Sequence, residues 1–186
     1  PMIQQVNYLR VLSRQLRSYA RRQSGCKALI DQYYGIGEMC AVTIVAELGD
    51  CRRFDNSRDA VRYGGMDITV YQSDRRRAPG RLSRQGPPAL RWALYEAAHA
   101  ARRPGSPDRE YYEQAAERLG GNRACLALAR KLLKRCYHTL RELGEDALAP
   151  PADERRGSGT AARASSASPR KTERPATREP ADTLAA

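Results

Sequence analysis

The residues best suited to chemistry lie in one arginine-rich segment between Tyr71 and Arg91. Arginine forks bind phosphate oxygens bidentately and stabilise the negative charge that develops during phosphoryl transfer. Two hydroxyl groups, those of Ser73 and Ser83, stand among these guanidinium groups. The segment holds six arginines and one acid, Asp74, a net charge of +5; the arginines are Arg75, Arg76, Arg77, Arg81, Arg84 and Arg91. The pattern predicts a segment that binds the phosphates of nucleic acid.

Ser73 has two interpretations. A serine hydroxyl is a weak nucleophile and needs an activating base, and the segment contains no histidine to supply one. From the residues alone, the favoured interpretation is a solvated basic loop in which Ser73 and Ser83 donate hydrogen bonds to phosphate. A nucleophilic serine is the alternative.

A second candidate site is the run Gly35-Ile36-Gly37. Two glycines ahead of a predicted helix let the backbone turn tightly, so that N–H groups at the helix N-terminus can face an anion. We expect the small residues Ala41 and Ala46 on that helix to let the preceding helix pack closely. The run therefore predicts a helix-hairpin-helix motif that grips DNA phosphates, and a plain tight turn between packed helices is the alternative.

The elements that must position these sites are mainly helical. Apolar residues recur every three or four positions, which predicts helices at residues 3–23, 26–33, 38–48, 57–63, 88–102, 107–120 and 123–143. Asn56 or Ser57 is the expected N-cap of the fourth helix, and Ser106 that of the sixth, with Pro107 at its first position. Residues 66–88 lose this period and predict a short hairpin or an irregular loop. The expected fold is a mainly α helical bundle.

The first predicted helix has a narrow apolar stripe between many arginines. The stripe consists of Val6, Leu9, Leu12, Leu16 and Tyr19. Such a stripe is typical of a coiled coil, so we expect a homo-oligomer assembled through this helix. The predicted organisation is a coiled-coil helix over 1–24, a DNA-binding and recombination domain over 25–147, and a disordered tail over 148–186.

Composition favours a polyanionic partner. The chain has 33 Lys and Arg against 21 Asp and Glu, a formal charge of +12, which indicates nucleic acid. From Pro151 onward, Ala, Arg, Pro, Ser and Thr dominate, which predicts disorder. That segment carries seven basic and five acidic residues, +2, and the remaining +10 belongs to the predicted folded part.

Several classes of site are not favoured by the sequence. The five cysteines include no C-x-x-C pair, and neither His99 nor His138 stands in a metal-ligand spacing, so no metal or other cofactor is expected in this chain. No apolar run is long enough to span a membrane and no signal peptide opens the chain. These features predict a cytoplasmic, nucleoid-associated protein.

The last predicted helix carries a basic outer face. Its members are Arg123, Arg130, Lys131, Lys134, Arg135 and Arg141. Charged helix faces are usually solvated, and we expect the same of this one. Contact with a DNA backbone is the alternative.

Ordered blocks of sequence over roughly residues 25–145 resemble the C-terminal domain of insertion-sequence 110/116/902 family transposases. The blocks are Gly35-Ile36-Gly37, Ala46 to Asp50, Arg53-Phe54, Tyr63-Gly64-Gly65, Tyr71-Gln72-Ser73, Gly80 to Gly86, Leu90 to Leu94 and Ala129 to Leu133. The first predicted helix is similar to the coiled-coil segment of that family.

The resemblance implies more than the residues do. Family members recombine DNA with a serine in a Tyr-x-Ser block, which maps onto Ser73, and they work as oligomers, some guided by a structured RNA. They also carry an RNase-H-like nuclease domain with four acidic metal ligands, which this sequence lacks, so a divalent metal is expected only in that domain. The sequence begins at Pro1, which predicts a fragment, a processed chain or a reading frame cut at its 5′ side.

One position departs from the family pattern. The glycine that follows the family serine is Asp74 here, which places a carboxylate beside the proposed nucleophile. The leading hypothesis is a truncated transposase that binds DNA but does not cleave it alone. A non-catalytic helix-hairpin-helix DNA-binding protein is the rival hypothesis, and the product of a decayed pseudogene is a third.

Overall fold

A computed structural model describes residues 2–150 apart from 70, 71, 74, 75 and 78–80, and for 69, 72, 73, 76, 77 and 81 the backbone alone. The described part is mainly helical, as predicted. Its helices are α1 (Met2–Arg22), α2 (Ser24–Gln32), α3 (Glu38–Leu48), α4 (Ser57–Tyr63), α5 (Pro88–Ala101), α6 (Arg109–Leu119) and α7 (Gly121–Leu143). Two 3₁₀ helices span Cys51–Arg53 and Gly144–Ala147, and four two-residue strands lie between α4 and α5.

The core is built around α7 and α5. Helix α7 packs against α6, α5, α4 and α2, and α5 packs against α3. The residues that α7 buries follow the helical period, and they include Cys125, Leu133, Cys136 and Leu140. Cys125 and Cys136 thus belong to the core, whereas the neighbouring Leu126 is only half-buried.

Two further cysteines, Cys26 and Cys51, are also buried and are not suited to a reactive role. Burial raises the pKa of the Cys26 and Cys51 thiols to about 11 in each case. At neutral pH both are therefore protonated, and a protonated thiol is a poor nucleophile and a poor metal ligand. All five cysteines are free.

The helix termini lie within two residues of their predicted positions. Helices α3 and α4 have the predicted bounds, and the Asn56 side chain accepts hydrogen bonds from the N–H groups of Arg58 and Asp59. The prediction for α6 is wrong at its start, because the helix begins at Arg109 rather than Pro107. The Ser106 hydroxyl accepts from the Asp108 N–H at 3.2 Å in a preceding turn and caps no helix.

Helix α6 is fastened to α7 by a buried carboxylate. The Asp108 side chain is only 4% exposed, and its oxygens lie 2.8 and 2.9 Å from Nη1 of Arg135. The Lys131 ammonium group lies 3.0 Å from the same carboxylate and 4.1 Å from the centre of the Tyr111 ring. Two cations on α7 thus hold the residue that precedes α6.

Helix α1 is mostly exposed and is attached at its C-terminal end. Val6 and Leu9 of the predicted stripe are 46% and 59% exposed, and Ala20 is the buried residue of this helix. Just beyond α1, the buried Gln23 side chain accepts from the Cys26 N–H at 2.6 Å and donates to the Ala147 carbonyl. These bonds join the α1–α2 junction to the 3₁₀ helix that follows α7.

Within the described ranges, no helix has the length and apolar character needed to cross a membrane. These residues belong to one compact unit, Pro1–Ala152. The predicted disorder of the tail concerns residues 148–186, of which 151–186 lie outside the described part.

Candidate nucleic-acid interface

The described residues of the arginine-rich segment form two antiparallel strand pairs, and we call residues 68–82 the ribbon. Strand β1 (Ile68–Thr69) pairs antiparallel with β4 (Arg81–Leu82), and β2 (Gln72–Ser73) pairs antiparallel with β3 (Arg76–Arg77). The second pair is nested inside the first, so the chain folds back on itself. This confirms the hairpin interpretation of residues 66–88 over the irregular loop.

The base of the ribbon is held by close contact between glycine backbones. A Cβ atom built on Gly86 would lie 2.1 Å from the Tyr63 carbonyl oxygen, so no side chain fits there. Gly65, at φ +64°, has equally little room, because a Cβ there would lie 2.8 Å from the Gln85 nitrogen. Glycines at these two positions therefore let the chain leaving the ribbon pack on the chain that enters it.

Hydrogen bonds complete this base. The N–H groups of Ser83 and Arg84 donate to the carbonyls of Asp67 and Gly65, each at 3.1 Å. The Ser83 hydroxyl donates to the Asp67 carboxylate, and the Arg91 guanidinium donates to the Gly86 carbonyl at 2.7 Å. Ser83 and Arg91 thus have structural partners that the sequence interpretation did not foresee, and their contact with DNA stays a prediction.

The ribbon brings several predicted site residues into register. The backbone of Arg76 lies opposite that of Ser73, and Arg77 lies opposite Gln72. Arg81 pairs with Thr69 at the base. Arg75 lies outside the described residues, and so do the side chains of residues 69–81. The catalytic prediction for Ser73 and the phosphate-binding prediction for these arginines stay predictions.

In the second predicted site, the turn Gly35-Ile36-Gly37, the two glycines have different surroundings. Gly35 has φ +95°, and a Cβ there would lie 2.5 Å from the Ala97 carbonyl of α5. Gly37 is the N-cap of α3 and has no atom within 4 Å of a built Cβ. Gly35 thus has a packing reason to be glycine, whereas Gly37 leaves open space in front of the helix N-terminus.

A carboxylate already lies at this helix N-terminus. Glu38 is the first residue of α3, and its carboxylate accepts from Arg21 at 2.9 Å. A hydrogen bond from its own backbone N–H, followed by the bond from Arg21, lowers the pKa of the Glu38 carboxyl. An anion bound at the turn would have to compete with this side chain. Of the small residues expected to allow close helix packing, Ala41 is buried but Ala46 is exposed, so that expectation was wrong for Ala46.

A cleft lies between the base of the ribbon and the start of α7, and sequence reasoning missed it. Its volume is about 590 Å³. It is lined by Ile68, Leu82, Arg84, Leu119, Arg123, Leu126 and Arg130. We call it the arginine cleft. Its members are scattered over 63 positions of sequence, 68–130, so no local pattern marks it.

The basic outer face of α7 is less solvated than expected. Lys131 and Arg135 bind Asp108, and the Arg130 Nε donates to the Met66 carbonyl at 2.5 Å. The Arg141 guanidinium donates to the Phe54 carbonyl at 2.5 Å. The solvated interpretation was therefore wrong for Arg130, Lys131 and Arg135, which are half-buried, whereas Arg141 is exposed as expected.

Two comparisons relate the sequence of this chain to known proteins. Residues 27–113 match the family described as "Transposase IS116/IS110/IS902 family". The chain is also 28% identical over 121 residues to the transposase for insertion sequence element IS1111A of Coxiella burnetii (strain RSA 493 / Nine Mile phase I). That alignment covers 63% of this chain and 33% of the relative, so the chain spans about a third of that protein. Both matches support a relationship to this transposase family.

Proposed function

We propose that this chain is the DNA-handling part of a transposase related to the insertion-sequence 110/116/902 family. The observation that carries the proposal is the extent of the family match, residues 27–113. That range includes the Gly35-Ile36-Gly37 turn, the whole ribbon and the cap residues of α6. A net charge of +12 suits a partner with a dense phosphate backbone.

In this proposal the ribbon is the principal phosphate contact. Arg75, Arg76, Arg77, Arg81 and Arg84 bind backbone oxygens, because planar guanidinium forks match phosphate geometry. Arg91 and Ser83 add phosphate contacts at the base of the ribbon. Nη1 of Arg91 is bound to the Gly86 and Gly64 carbonyls, and the other guanidinium nitrogens of Arg91 can donate to phosphate. The open N-terminus of α3 beside Gly37 makes a second backbone contact.

Ser73 is the proposed nucleophile. Its Oγ forms a bond to the phosphorus of a DNA phosphodiester, a bond from that phosphorus to a sugar oxygen breaks, and the departing sugar oxygen takes up the proton lost by the serine. The backbone of Arg76 lies opposite Ser73, a register position from which a guanidinium group can stabilise the developing charge. By the family resemblance, divalent metal belongs to an acidic nuclease domain, so these residues alone bind DNA without cleaving it.

The partners follow from the same assignment. DNA is the substrate, and a structured guide RNA is a second nucleic-acid partner where the family resemblance extends that far. The exposed stripe of α1, with Val6 46% and Leu9 59% exposed, serves assembly into a homo-oligomer. The proposed location is the nucleoid in the cytoplasm.

The test uses DNA nicked close to the cleavage site, so that the released fragment diffuses away and a covalent intermediate accumulates. The chain is assayed alone and joined to an acidic nuclease domain of this family. We expect a denaturant-stable protein–DNA adduct only in the joined form, lost in Ser73→Ala and kept in the control Ser18→Ala. Without the nuclease domain, the wild-type chain, Ser73→Ala and Ser18→Ala should bind DNA with equal affinity.

The outcomes separate the two main hypotheses. An adduct that survives Ser73→Ala, or no adduct in any form, contradicts the nucleophile assignment. Salt-sensitive DNA binding without an adduct then favours a non-catalytic helix-hairpin-helix protein. No DNA binding at all contradicts both.

A further inference from the structure

Among the described residues that line the arginine cleft, three are cations and none is an acid. Within the part of the chain that the structure describes, Arg84, Arg123 and Arg130 form no ion pair with a carboxylate. Arg123 lies in the first turn of α7, which contains no acidic residue and whose N-cap, Gly120, offers no side chain. Because a helix N-terminus is already positive, a cation there is electrostatically unfavourable. An anion in the cleft would relieve this repulsion.

Arg130 adds to the positive charge from a half-buried position. Its Nε donates to the Met66 carbonyl, a neutral acceptor, and its side chain also lines the cleft. Burial lowers its pKa, while Tyr111 and Asp67 act in the opposite direction. A partly desolvated guanidinium group bound only to a carbonyl is stabilised by a bound anion more strongly than an exposed one.

Arg84 is held beside the cleft by a strained backbone. Among the described residues, it is the one non-glycine with a left-handed backbone, at φ +53°. Such a conformation is energetically unfavourable for an arginine. The bond from its N–H to the Gly65 carbonyl and the tight Gly65–Gln85 contact hold it there. Glycine would fit this backbone better, so replacing Arg84 by glycine should not destabilise the fold.

The remaining walls of the cleft are aliphatic. Ile68 and Leu82 face it from paired positions of the ribbon, and Leu119 and Leu126 from α6 and α7. Ile68 is 48% exposed and Leu119 45% exposed, which leaves apolar area uncovered at the rim. A volume of about 590 Å³ lies within the range of roughly 300–1,000 Å³ typical of clefts that hold small molecules. A phosphate alone needs neither this volume nor these walls.

We propose that the arginine cleft binds one unpaired nucleotide of single-stranded DNA, with its phosphate on the guanidinium groups and its base against the aliphatic walls. A base stacked in a duplex cannot present its face to Ile68 and Leu126, whereas an unpaired base can. The inference rests on the proposed role in handling DNA, but it does not require Ser73 to be a nucleophile.

The test measures affinity for two fluorescent probes, an oligothymidine of about a dozen nucleotides and a duplex of the same length, by fluorescence anisotropy. Three variants alter the cleft: Arg123→Ala removes an exposed cation, Arg84→Gly removes a cation together with its backbone strain, and Ile68→Ser removes an apolar wall without changing charge. Arg58→Ala is the control, because Arg58 is an exposed arginine in the first turn of α4.

We expect each cleft variant to weaken single-strand binding by about tenfold. Arg123→Ala and Ile68→Ser should change duplex binding no more than the control does, whereas Arg84→Gly should also weaken duplex binding, because Arg84 is a proposed phosphate ligand. Arg84→Gly should lose affinity while its unfolding midpoint stays equal or rises, a combination that a purely structural arginine would not give. Equal losses for single strand and duplex in Arg123→Ala would overturn the unpaired-nucleotide assignment, and so would wild-type single-strand affinity in Ile68→Ser. Variants that all bind like the control overturn the cleft alone, whereas a wild-type chain that binds neither probe overturns the proposed function as well.

Discussion

At the scale of single residues, Gly35 and Gly37 show how one residue type serves two purposes two positions apart. Gly35 combines a left-handed backbone with a 2.5 Å approach of its would-be Cβ to the Ala97 carbonyl. Gly37 has an ordinary extended backbone, φ −87° and ψ 176°, and free space around it. The first glycine is explained by packing, and only the second is left for contact with a ligand.

Alanine substitution separates these roles. Gly35→Ala should destabilise the fold by about 2–4 kcal/mol, because it adds both strain and a clash with backbone. Gly37→Ala should cost less than about 1 kcal/mol, the loss expected at an N-cap without a side-chain bond. Urea unfolding measures both effects. If the α3 N-terminus contacts DNA, Gly37→Ala should also weaken DNA binding, and unchanged affinity would contradict the hairpin assignment.

The Asp108 carboxylate is the second residue-scale feature with a measurable consequence. Because it is 4% exposed and binds both Lys131 and Arg135, Asp108→Ala leaves two cations without their partner. We expect a loss of about 3 kcal/mol in the free energy of unfolding. Glu113→Ala breaks the exposed Arg109–Glu113 pair and should cost less than about 0.5 kcal/mol. Equal urea midpoints for the two variants would contradict this account of how α6 is held on α7.

At the scale of elements, the ribbon depends on its base more than on its own short strands. Each strand of the ribbon is only two residues long, and such short strand pairs supply little stability by themselves. The base adds the Gly65 and Gly86 contacts and the bonds of Ser83 and Arg84 to the entering chain. The ribbon should therefore behave as one unit that opens when its base is disturbed.

Gly86→Ala tests this dependence. A methyl group 2.1 Å from the Tyr63 carbonyl oxygen forces backbone to move, and we expect a loss of about 2–4 kcal/mol. Hydrogen exchange should accelerate at the Ser83 and Arg84 amides before it does so in α7. Gln85→Ala, an exposed neighbour, is the control and should leave both amides protected. Unchanged exchange in Gly86→Ala would show that the base does not hold the ribbon.

The bounds of the helices show which structural features the sequence predicts and which it does not. Helices α3 and α4 were predicted at their observed bounds, because caps such as Asn56 and the apolar period are local signals. The start of α6 was not predicted correctly. Pro107 suggests the first helical position, but the Asp108 side chain forms ion pairs with cations of α7. Local rules cannot anticipate a partner 23 or 27 positions away.

The candidate sites also divide into those that the sequence predicts and one that it does not. The arginine-rich segment and the glycine turn are continuous in sequence and could be singled out from composition and spacing. The arginine cleft joins the ribbon to α6 and α7, so it exists only after these elements pack. For the same reason, the bond of the half-buried Arg130 to the Met66 carbonyl replaced the solvation expected from a charged helix face.

At the scale of the whole molecule, an excess of positive charge is distributed over a small helical body. Most of the +12 lies outside the residues from Pro151 onward, which carry +2. Some of the basic side chains in the described part are engaged within the fold, such as Arg135 with Asp108 and Arg141 with Phe54. The ribbon arginines are the densest basic set in the sequence, and we propose that they bind DNA.

The salt dependence of duplex affinity tests that assignment most directly. Wild type is compared with a variant in which Arg76, Arg77 and Arg81 are alanine, and with a control that replaces the exposed Arg58, Arg103 and Arg118, which changes net charge equally. If the three ribbon residues bind phosphates, the slope of log affinity against log salt should become shallower by about 2–3 in the ribbon variant, since each lost contact removes roughly 0.9. The control should keep a slope close to that of wild type. Equal slopes for the ribbon variant and wild type would contradict the claim that this hairpin holds DNA.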